Sequence, residues 1–583
     1  MRSRWFLAAV LVPAVALAVA HLQRGAEASP REPRLRRPAA LALADDGKLL
    51  FVANRRSGTV SVLDTGLSRA VAEVPVGRGL ADLTTTPDGR WLLVADEAGH
   101  ELVVLGREGK DLRVAARLKM PPYPVSVRVS PDGGRCFVAS LWARQLAVVD
   151  LTSPSKPGVR ATIDLPFAPR LQLFLPKAGK LLVADSHGGQ LAVIDPDEGK
   201  VESVRSLPAH NIRGLALSPS GESVLLAHQI LNRLSTTARD DIHWGNLLTN
   251  NLRTVSVASL LDAKADPLRG GVLDYLGDVG AGAADPSGLA VRPDGSAVVA
   301  LGGVGEVAVG GPASGWRRVP VESRPTAIIL SPDGRTAYVA NTFADSVSVL
   351  DLSASKAARM IRLGERATPA ASDRGEELFY DGRLSHDGWL SCHSCHTDGH
   401  SNGLLNDNFS DGTFGTPKRV LSLLGVKDTG PWAWDGGMAD LKAQIRASVE
   451  STMRGRKLSA AQEDDLAAYL RTLAPPPPPA RAVRRDPGAA ERGQRVFREQ
   501  ACATCHAPPH YTTAKAYDVG LRDEAGKRAF NPPSLRGLSQ GRHFLHDSRA
   551  VTLRDVFARH RHGLKGDLAG ADLDDLLAFL ESL

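Results

Sequence analysis

From residue 38 to about residue 365 one pattern of apolar and polar positions recurs. A short apolar run leads to a P-D-G turn, a second apolar run, a brief polar turn and an alternating run that ends in Asp. The clearest copy is Ser331-Pro332-Asp333-Gly334, Thr336-Ala337-Tyr338-Val339-Ala340-Asn341 and Ser346-Val347-Ser348-Val349-Leu350-Asp351. The turn glycines Gly47, Gly89, Gly133, Gly179, Gly221, Gly295 and Gly334 lie 39–46 residues apart, with a single interval of 74. Short apolar runs bounded by turn residues predict strands. A period near 40 residues with several strands in each unit predicts a propeller of seven four-stranded blades, closed so that only short edges are exposed. The long interval predicts two insertions on one blade, at 229–251 and 262–285. Loops on a rigid scaffold often carry function. His228, His243 and Trp244 therefore either line a contact with the rest of the chain or belong to a loop that only packs on its neighbour.

Beyond residue 365 the period becomes helical. Residues 373–379 read as a helix. Ser459 with Gln462 three residues later is a capping box, followed by apolar positions at Leu466, Tyr469, Leu470 and Leu473 in helical spacing. Pro475 to Pro479 predicts a stiff extended linker over 475–485. Asp486-Pro487 restarts a helix, with Asp as cap and Pro at the first position. Leu573, Leu576, Leu577 and Leu580 share one face of a closing helix.

Candidate chemistry lies in this helical third. Cys392-His393-Ser394-Cys395-His396 and Cys502-Ala503-Thr504-Cys505-His506 each read C-x-x-C-H, the c-type haem attachment signature. Two thiols one turn apart can add to the vinyl groups of one haem while the adjacent His reaches the iron. A redox pair would not need that His, and no further C-x-x-C completes a zinc set. The two copies use four of the five cysteines; Cys136, in an apolar strand, reads as a small buried hydrophobe. Cys392, Cys395, Cys502 and Cys505 are thus candidate haem attachments, with His396 and His506 as proximal ligands of two covalently bound haem c groups. The fold class is multidomain: an all-β seven-bladed propeller at 38–365, then two small all-α c-type cytochrome domains at 373–474 and 486–583.

The N-terminus places these domains. Arg2 and Arg4 precede an apolar run from Trp5 to Ala20, and Ala26-Glu27-Ala28 offers a cleavage site, so residues 1–28 read as a signal peptide. An uncleaved anchor is the alternative. Either puts the body outside the cytoplasm, in the periplasm if the signal is cleaved, where bacteria attach c-type haem. The leader holds Arg2, Arg4 and Arg24 against Glu27, so the remaining chain carries about +5 of the formal +7. That mild charge suits an acidic redox partner, with a small cytochrome or a cupredoxin expected. No basic run with interleaved aromatics points to nucleic acid.

Two family resemblances extend this reading. Phe51-Val52-Ala53-Asn54 and Tyr338-Val339-Ala340-Asn341, each followed by a V-S-V-L-D strand, resemble the YVTN family of seven-bladed propellers. From about residue 373 onward the chain resembles the bacterial dihaem cytochrome c peroxidases and the related dihaem enzymes that mature methylamine dehydrogenase. The matching residues are Leu378-Phe379-Tyr380-Asp381, Leu384-Ser385, Trp434-Asp435-Gly436, Leu441, Gln444, Pro533-Ser534-Leu535-Arg536, Phe544-Leu545-His546-Asp547 and Thr552-Leu553. The resemblance implies a peroxide-reacting haem on His396, an electron-transfer haem on His506, Trp434 as the relay between them and Gln444 as a distal-pocket residue.

Three positions depart from the family. The acid expected ten residues after Gln444 is Arg454, leaving Glu450 as the nearest substitute. Met453 continues the stripe Leu441, Ile445, Val449, so it is either a sixth ligand to the first iron or a core methionine; His400 is a further distal candidate. The family's distal Met or Tyr of the second haem aligns with His560. Helical phase from a Thr552 cap puts His560 on the buried face, whereas His562 points elsewhere. The calcium that the family holds between its haems uses a T-x-P whose aligned residues here are Gly541 and His543.

The expected function is an extracytoplasmic dihaem oxidoreductase of the cytochrome c peroxidase type. The alternative is an electron carrier with both irons six-coordinate and the propeller as a docking module.

Overall fold

The computed structural model describes residues 33–583 apart from 45, 313, 355–358, 410–411, 484–485 and 569. The leader expected at 1–28 lies outside the described residues. Seven four-stranded antiparallel sheets span residues 38–75, 80–119, 124–164, 169–206, 210–275, 286–320 and 325–362. The second strand of each blade is apolar almost throughout, because neighbouring blades cover both its faces. In Leu49–Asn54, for example, every residue from Leu50 to Asn54 is fully buried. The first strands of successive blades pack side by side around the axis, and Pro325–Leu330 packs on Pro38–Leu43 to close the ring. The N–H groups of Arg36 and Arg37 donate to the Asp345 carboxylate (3.1 and 2.8 Å), and Thr342 Oγ1 donates to the Pro38 carbonyl (2.7 Å). The P-D-G turns need a left-handed glycine; Gly334, for instance, has φ 68°.

The long interval differs from two loops. In the fifth blade Ser223–Leu231 and Leu248–Ser256 pair along their whole length, so much of 229–251 is an extension of the hairpin, tipped by the Arg239–His243 helix. The Val257–Leu261 helix precedes the second insertion, within which the strand Val272–Tyr275 completes the blade.

The helical third lies on the propeller face opposite the P-D-G turns, where the second-to-third strand turns and the links between blades meet. Asp285, 1% exposed, accepts hydrogen bonds from Ser391 Oγ (2.6 Å) and Ser394 Oγ (2.7 Å) and pairs with Arg324 (3.2 Å). His210 Nε2–H donates to the Ser394 carbonyl (3.0 Å), and Asn250 Nδ2 to that of Trp389 (2.9 Å). Arg213 pairs with Asp398 (2.7 Å), Arg37 with Glu377 (2.9 Å) and Arg542 with Asp185 (2.6 Å).

The expected linker is a strap packed in this seam rather than a free spacer. The Pro477 carbonyl accepts from Gln540 Nε2 (2.8 Å), whose amide also reaches Trp142 O (2.9 Å). Ala480 N–H donates to Ala143 O (3.2 Å), and a helical turn forms at Ala480–Val483.

Each small helical domain is built on one crossing. Ala371–Phe379 crosses Ala460–Leu470, and Pro487–Glu499 crosses Ala571–Ser582. Arg374 grips Asp465 through two bonds (2.8 and 2.6 Å), and Arg492 grips Asp575 the same way (2.7 and 2.9 Å). At the crossing points a Cβ on Gly375 or Gly493 would sit 1.9 Å from the carbonyl oxygen of Asp465 or Asp575. Gly375→Ala and Gly493→Ala are each expected to cost about 1–3 kcal/mol by forcing the helices apart, measured as a lower denaturant midpoint at unchanged slope.

Candidate functional site

The Cys392–Cys395 helix is a single turn, which brings its two thiols to one side. His396 follows with its N–H on the Cys392 carbonyl (2.9 Å), and its Nδ1–H donates to Leu421 O (2.9 Å). The second motif repeats this: His506 N–H bonds Cys502 O (2.9 Å) and its Nδ1–H donates to Tyr511 O (3.1 Å). With Nδ1 committed to a carbonyl, Nε2 is the nitrogen left for a metal. Burial lowers the His396 pKa to about 4 and also lowers that of His506, keeping both imidazoles neutral. Burial raises Cys392 and Cys395 to about 12 and Cys502 to about 11. Burial thus disfavours charge on these sulfurs, which a neutral thioether link accommodates. This donor set fits thioether attachment of haem with one axial imidazole.

Each motif opens on its own cavity. The first, of about 410 Å³, is lined by Cys392, Cys395 and His396 together with Leu441, Gln444, Ile445, Val449 and Met453. The second, of about 170 Å³, is lined by Cys502, Cys505, His506, Phe530, His546 and His562. Arg419, Trp434, Asn531, Pro533, Leu538 and Phe544 line both. Trp434 Nε1 donates to the Arg419 carbonyl (2.8 Å), the Arg419 guanidinium lies 5.5 Å from the Trp434 ring centre, and His546 meets that ring edge-on at 6.3 Å.

The other expected residues divide. Gln444 is on the cavity wall; its Nε2 donates to Ser448 Oγ (3.2 Å), and its Oε1 is buried without a partner. Met453, 3% exposed, is also on that wall. Glu450 is exposed and lines neither cavity. The Leu441–Ala447 helix widens into a π turn at Ser448–Thr452, which keeps Val449 and Met453 inward and turns Glu450 out. Arg454 instead donates to the Thr237 carbonyl of the propeller insertion (2.7 Å). His400 lines the first cavity but has both ring nitrogens engaged, with Ser422 Oγ (2.9 Å) and Gln540 O (3.3 Å). Gly541 brings no side-chain oxygen for calcium, and His543 offers nitrogen.

His560, whose Nε2 is buried without a partner, sits differently from the expectation. It does not line the second cavity; His562 does. The Leu553–Ala558 helix ends early, Arg561 turns left-handed (φ 46°), and His562 N–H returns to Val556 O (3.1 Å). This ending through left-handed Arg561 carries His562 inward, whereas straight helical phase favoured His560. His562 Nδ1 is buried without a partner, and burial, with His506 nearby, lowers its pKa to about 4.

Sequence reasoning missed Arg419 and the internal repeat, and gave His546 no role. Arg374-Gly375…Phe379 and Arg492-Gly493…Phe497 match, as do Asp465…Tyr469 and Asp575…Phe579; each set spans one helix crossing. The loop bridge Trp432–Met438 likewise recurs as Phe544–Ala550, which makes Trp434 and His546 counterparts.

His243 contacts the helical third through Asp387 (2.6 Å), while Trp244 is 60% exposed. His228 is fully buried within the propeller against Arg253 (3.2 Å). Burial lowers the pKa of His210 to about 4 and of His228 and His393 to about 3. The unfolded chain takes up these protons below about pH 6.5, while the folded chain takes them up only near pH 3–4. Stability is therefore expected to fall as pH drops from 6.5 towards 4, by roughly 1.4 kcal/mol per pH unit for each histidine. Unfolding midpoints across that range check this.

Residues 369–475 match the family model described as di-haem cytochrome c peroxidase. The methylamine utilization protein MauG of Methylorubrum extorquens is 27% identical over 285 residues, spanning 37% of this chain and 78% of that protein. The cytochrome c551 peroxidase of Nitrosomonas europaea is 24% identical over 276 residues, spanning 37% of this chain and 81% of that protein. A chain of Kuenenia stuttgartiensis hydrazine synthase aligns with 56% of this chain and 98% of its own length, at 22% identity and TM-score 0.49. Among the described residues no helix is long and apolar enough to cross a membrane. The chain is a seven-bladed propeller followed by a region matching the di-haem cytochrome c peroxidase and MauG type, which supports a dihaem oxidoreductase.

Proposed function

We propose that this chain is an extracytoplasmic oxidoreductase of the cytochrome c peroxidase type. In this reading a donor, a small cytochrome or cupredoxin, delivers electrons at the Cys502–His506 site for use at the Cys392–His396 site in peroxide reduction or substrate oxidation. The carrying observation is the wall common to the two cavities, with Trp434 and Arg419 at its centre. Haem held at the two sites would supply one-electron chemistry and, at an open iron face, peroxide cleavage. The chain's own residues supply the rest. The Leu421 and Tyr511 carbonyls orient His396 and His506. Trp434, held by its Nε1–H bond to the Arg419 carbonyl, stands in the wall between the sites. Gln444 presents an unpaired Oε1, an acceptor that can hold a proton-bearing ligand in the first cavity.

One observation favours the carrier reading. Among the described residues no carboxylate lines the first cavity, and Met453 does. A Met453 sulfur on the iron would close the face that peroxide needs. The absorption spectrum of the oxidised protein with and without peroxide decides between the two. A high-spin component that changes on adding peroxide is expected; two low-spin haems unmoved by peroxide would overturn the peroxidase reading in favour of the carrier.

A further inference from the structure

His243, His386 and Asp387 converge at the seam between the propeller and the first helical domain. His243 ends the Arg239–His243 helix on the fifth-blade insertion, and the other two lie in the turn before the first C-x-x-C-H. The three side chains present donor atoms within 4.8 Å of one another. His243 Nδ1 is 2.6 Å from Asp387 Oδ2, and His386 Nε2 is 3.3 Å from the same oxygen. All three side chains are partly exposed, at 38%, 17% and 21% for His243, His386 and Asp387.

The seam does not need these side chains to close. Gly282 N–H donates to the Asp387 carbonyl (2.7 Å), and Ala284 N–H to that of Gly388 (3.1 Å), so backbone bonds already fix the turn. Asp387 is held in a left-handed conformation (φ 55°) that glycine adopts more readily. Between two imidazoles, this aspartate makes a donor set rather than a turn.

We propose that His243, His386 and Asp387 bind a borderline divalent cation of the zinc class, clamping the propeller insertion to the first haem domain. Two imidazole nitrogens and one carboxylate oxygen suit zinc, whereas magnesium and calcium prefer all-oxygen shells. The partial exposure leaves room for water as a fourth ligand. Arg239, itself exposed, now donates Nε–H to His386 Nε2 (3.3 Å) and would swing away. The site reaches the first cavity through one bond, since His386 N–H donates to the Met453 carbonyl (2.9 Å). The site does not depend on which redox reading holds.

The test is zinc titration by calorimetry of the full chain carrying both haems, after chelator treatment and dialysis. The wild type is compared with His243→Ala and Asp387→Asn, whose unchanged Soret absorbance reports an intact fold. One zinc per chain is expected in the wild type, bound roughly tenfold or more weakly in each variant. A second readout is a zinc-dependent rise in the wild-type unfolding temperature, smaller in both variants at the same zinc concentration. No zinc uptake, or uptake equal in all three proteins, would overturn the proposal.

Discussion

His562→Ala is expected to shift the second haem from low-spin to high-spin ferric, whereas His560→Ala leaves its spectrum unchanged. His562 lines the cavity of Cys502, Cys505 and His506; His560 does not. The difference comes from how the helix ends. Arg561 N–H bonds Phe557 O (3.1 Å) and His562 N–H bonds Val556 O (3.1 Å), and these bonds around left-handed Arg561 reverse the chain just before His562. His506 and His562 would together hold a haem iron in this cavity, and such a His/His set would give it a lower potential than a His/Met set. The variant should therefore also raise the midpoint potential of that haem, and added imidazole should restore both signals. Electron paramagnetic resonance separates the two haems, so the first acts as an internal standard. If His560→Ala opens the site and His562→Ala does not, the placement of His562 as ligand is wrong.

The same loop shows where sequence reading succeeds and where it stops. Caps and turns were legible because their signal is local. Ser459 with Gln462, Thr552 with Asp555 and Asp486 before Pro487 all start helices as their side-chain chemistry requires. The seven turn glycines fixed the blade count because each turn needs a left-handed residue at the same offset. The course of a helix beyond its first turn is less determined. The π turn at Ser448–Thr452 and the left-handed Arg561 each shift the phase by a fraction of a turn, enough to expose Glu450 and to exchange His560 for His562. Gly563 (φ 64°) and Gly455 mark that each helix ends nearby, but neither tells the phase at which it ends. The proline strap escaped the sequence for a different reason. Its composition sets an extended backbone, but its packing depends on Gln540 and Ala143, far away in sequence. The internal repeat was present in the sequence at Arg374-Gly375 and Arg492-Gly493, yet two residues gain meaning only when a helix is seen to cross at the glycine.

Asp285→Ala is expected to cost about 3–5 kcal/mol, because it removes the acceptor from a buried charge network and leaves the partners without it. Burial pushes the Asp285 carboxyl up, but His393, Arg324 and the hydrogen bonds from Ser391 and Ser394 outweigh it, so its pKa lies below the ordinary carboxylate value. The carboxylate is thus the ionised centre of the seam, holding both serines of the first haem-attachment turn against the propeller. Its loss leaves the Ser391 and Ser394 hydroxyl protons without their acceptor and takes the counter-charge from Arg324, which stacks on Tyr380 at 4.1 Å. Asp285→Asn should cost less, since its amide oxygen still accepts from one serine and the other hydroxyl can turn to accept from the amino group, while the charge that Arg324 pairs with is lost. The order wild type, Asn, Ala is therefore expected in denaturant midpoints. Because Asp285 grips the haem-attachment turn and not the cavity, the first haem should still be attached in both variants, with only its docking to the propeller loosened. Limited proteolysis at the seam reads that loosening directly: faster cleavage between the propeller and the helical third, in the same order, is the expected result. Equal midpoints and equal cleavage across the three proteins would show that the contacts of Arg37, Arg213 and Arg542 hold the seam without Asp285.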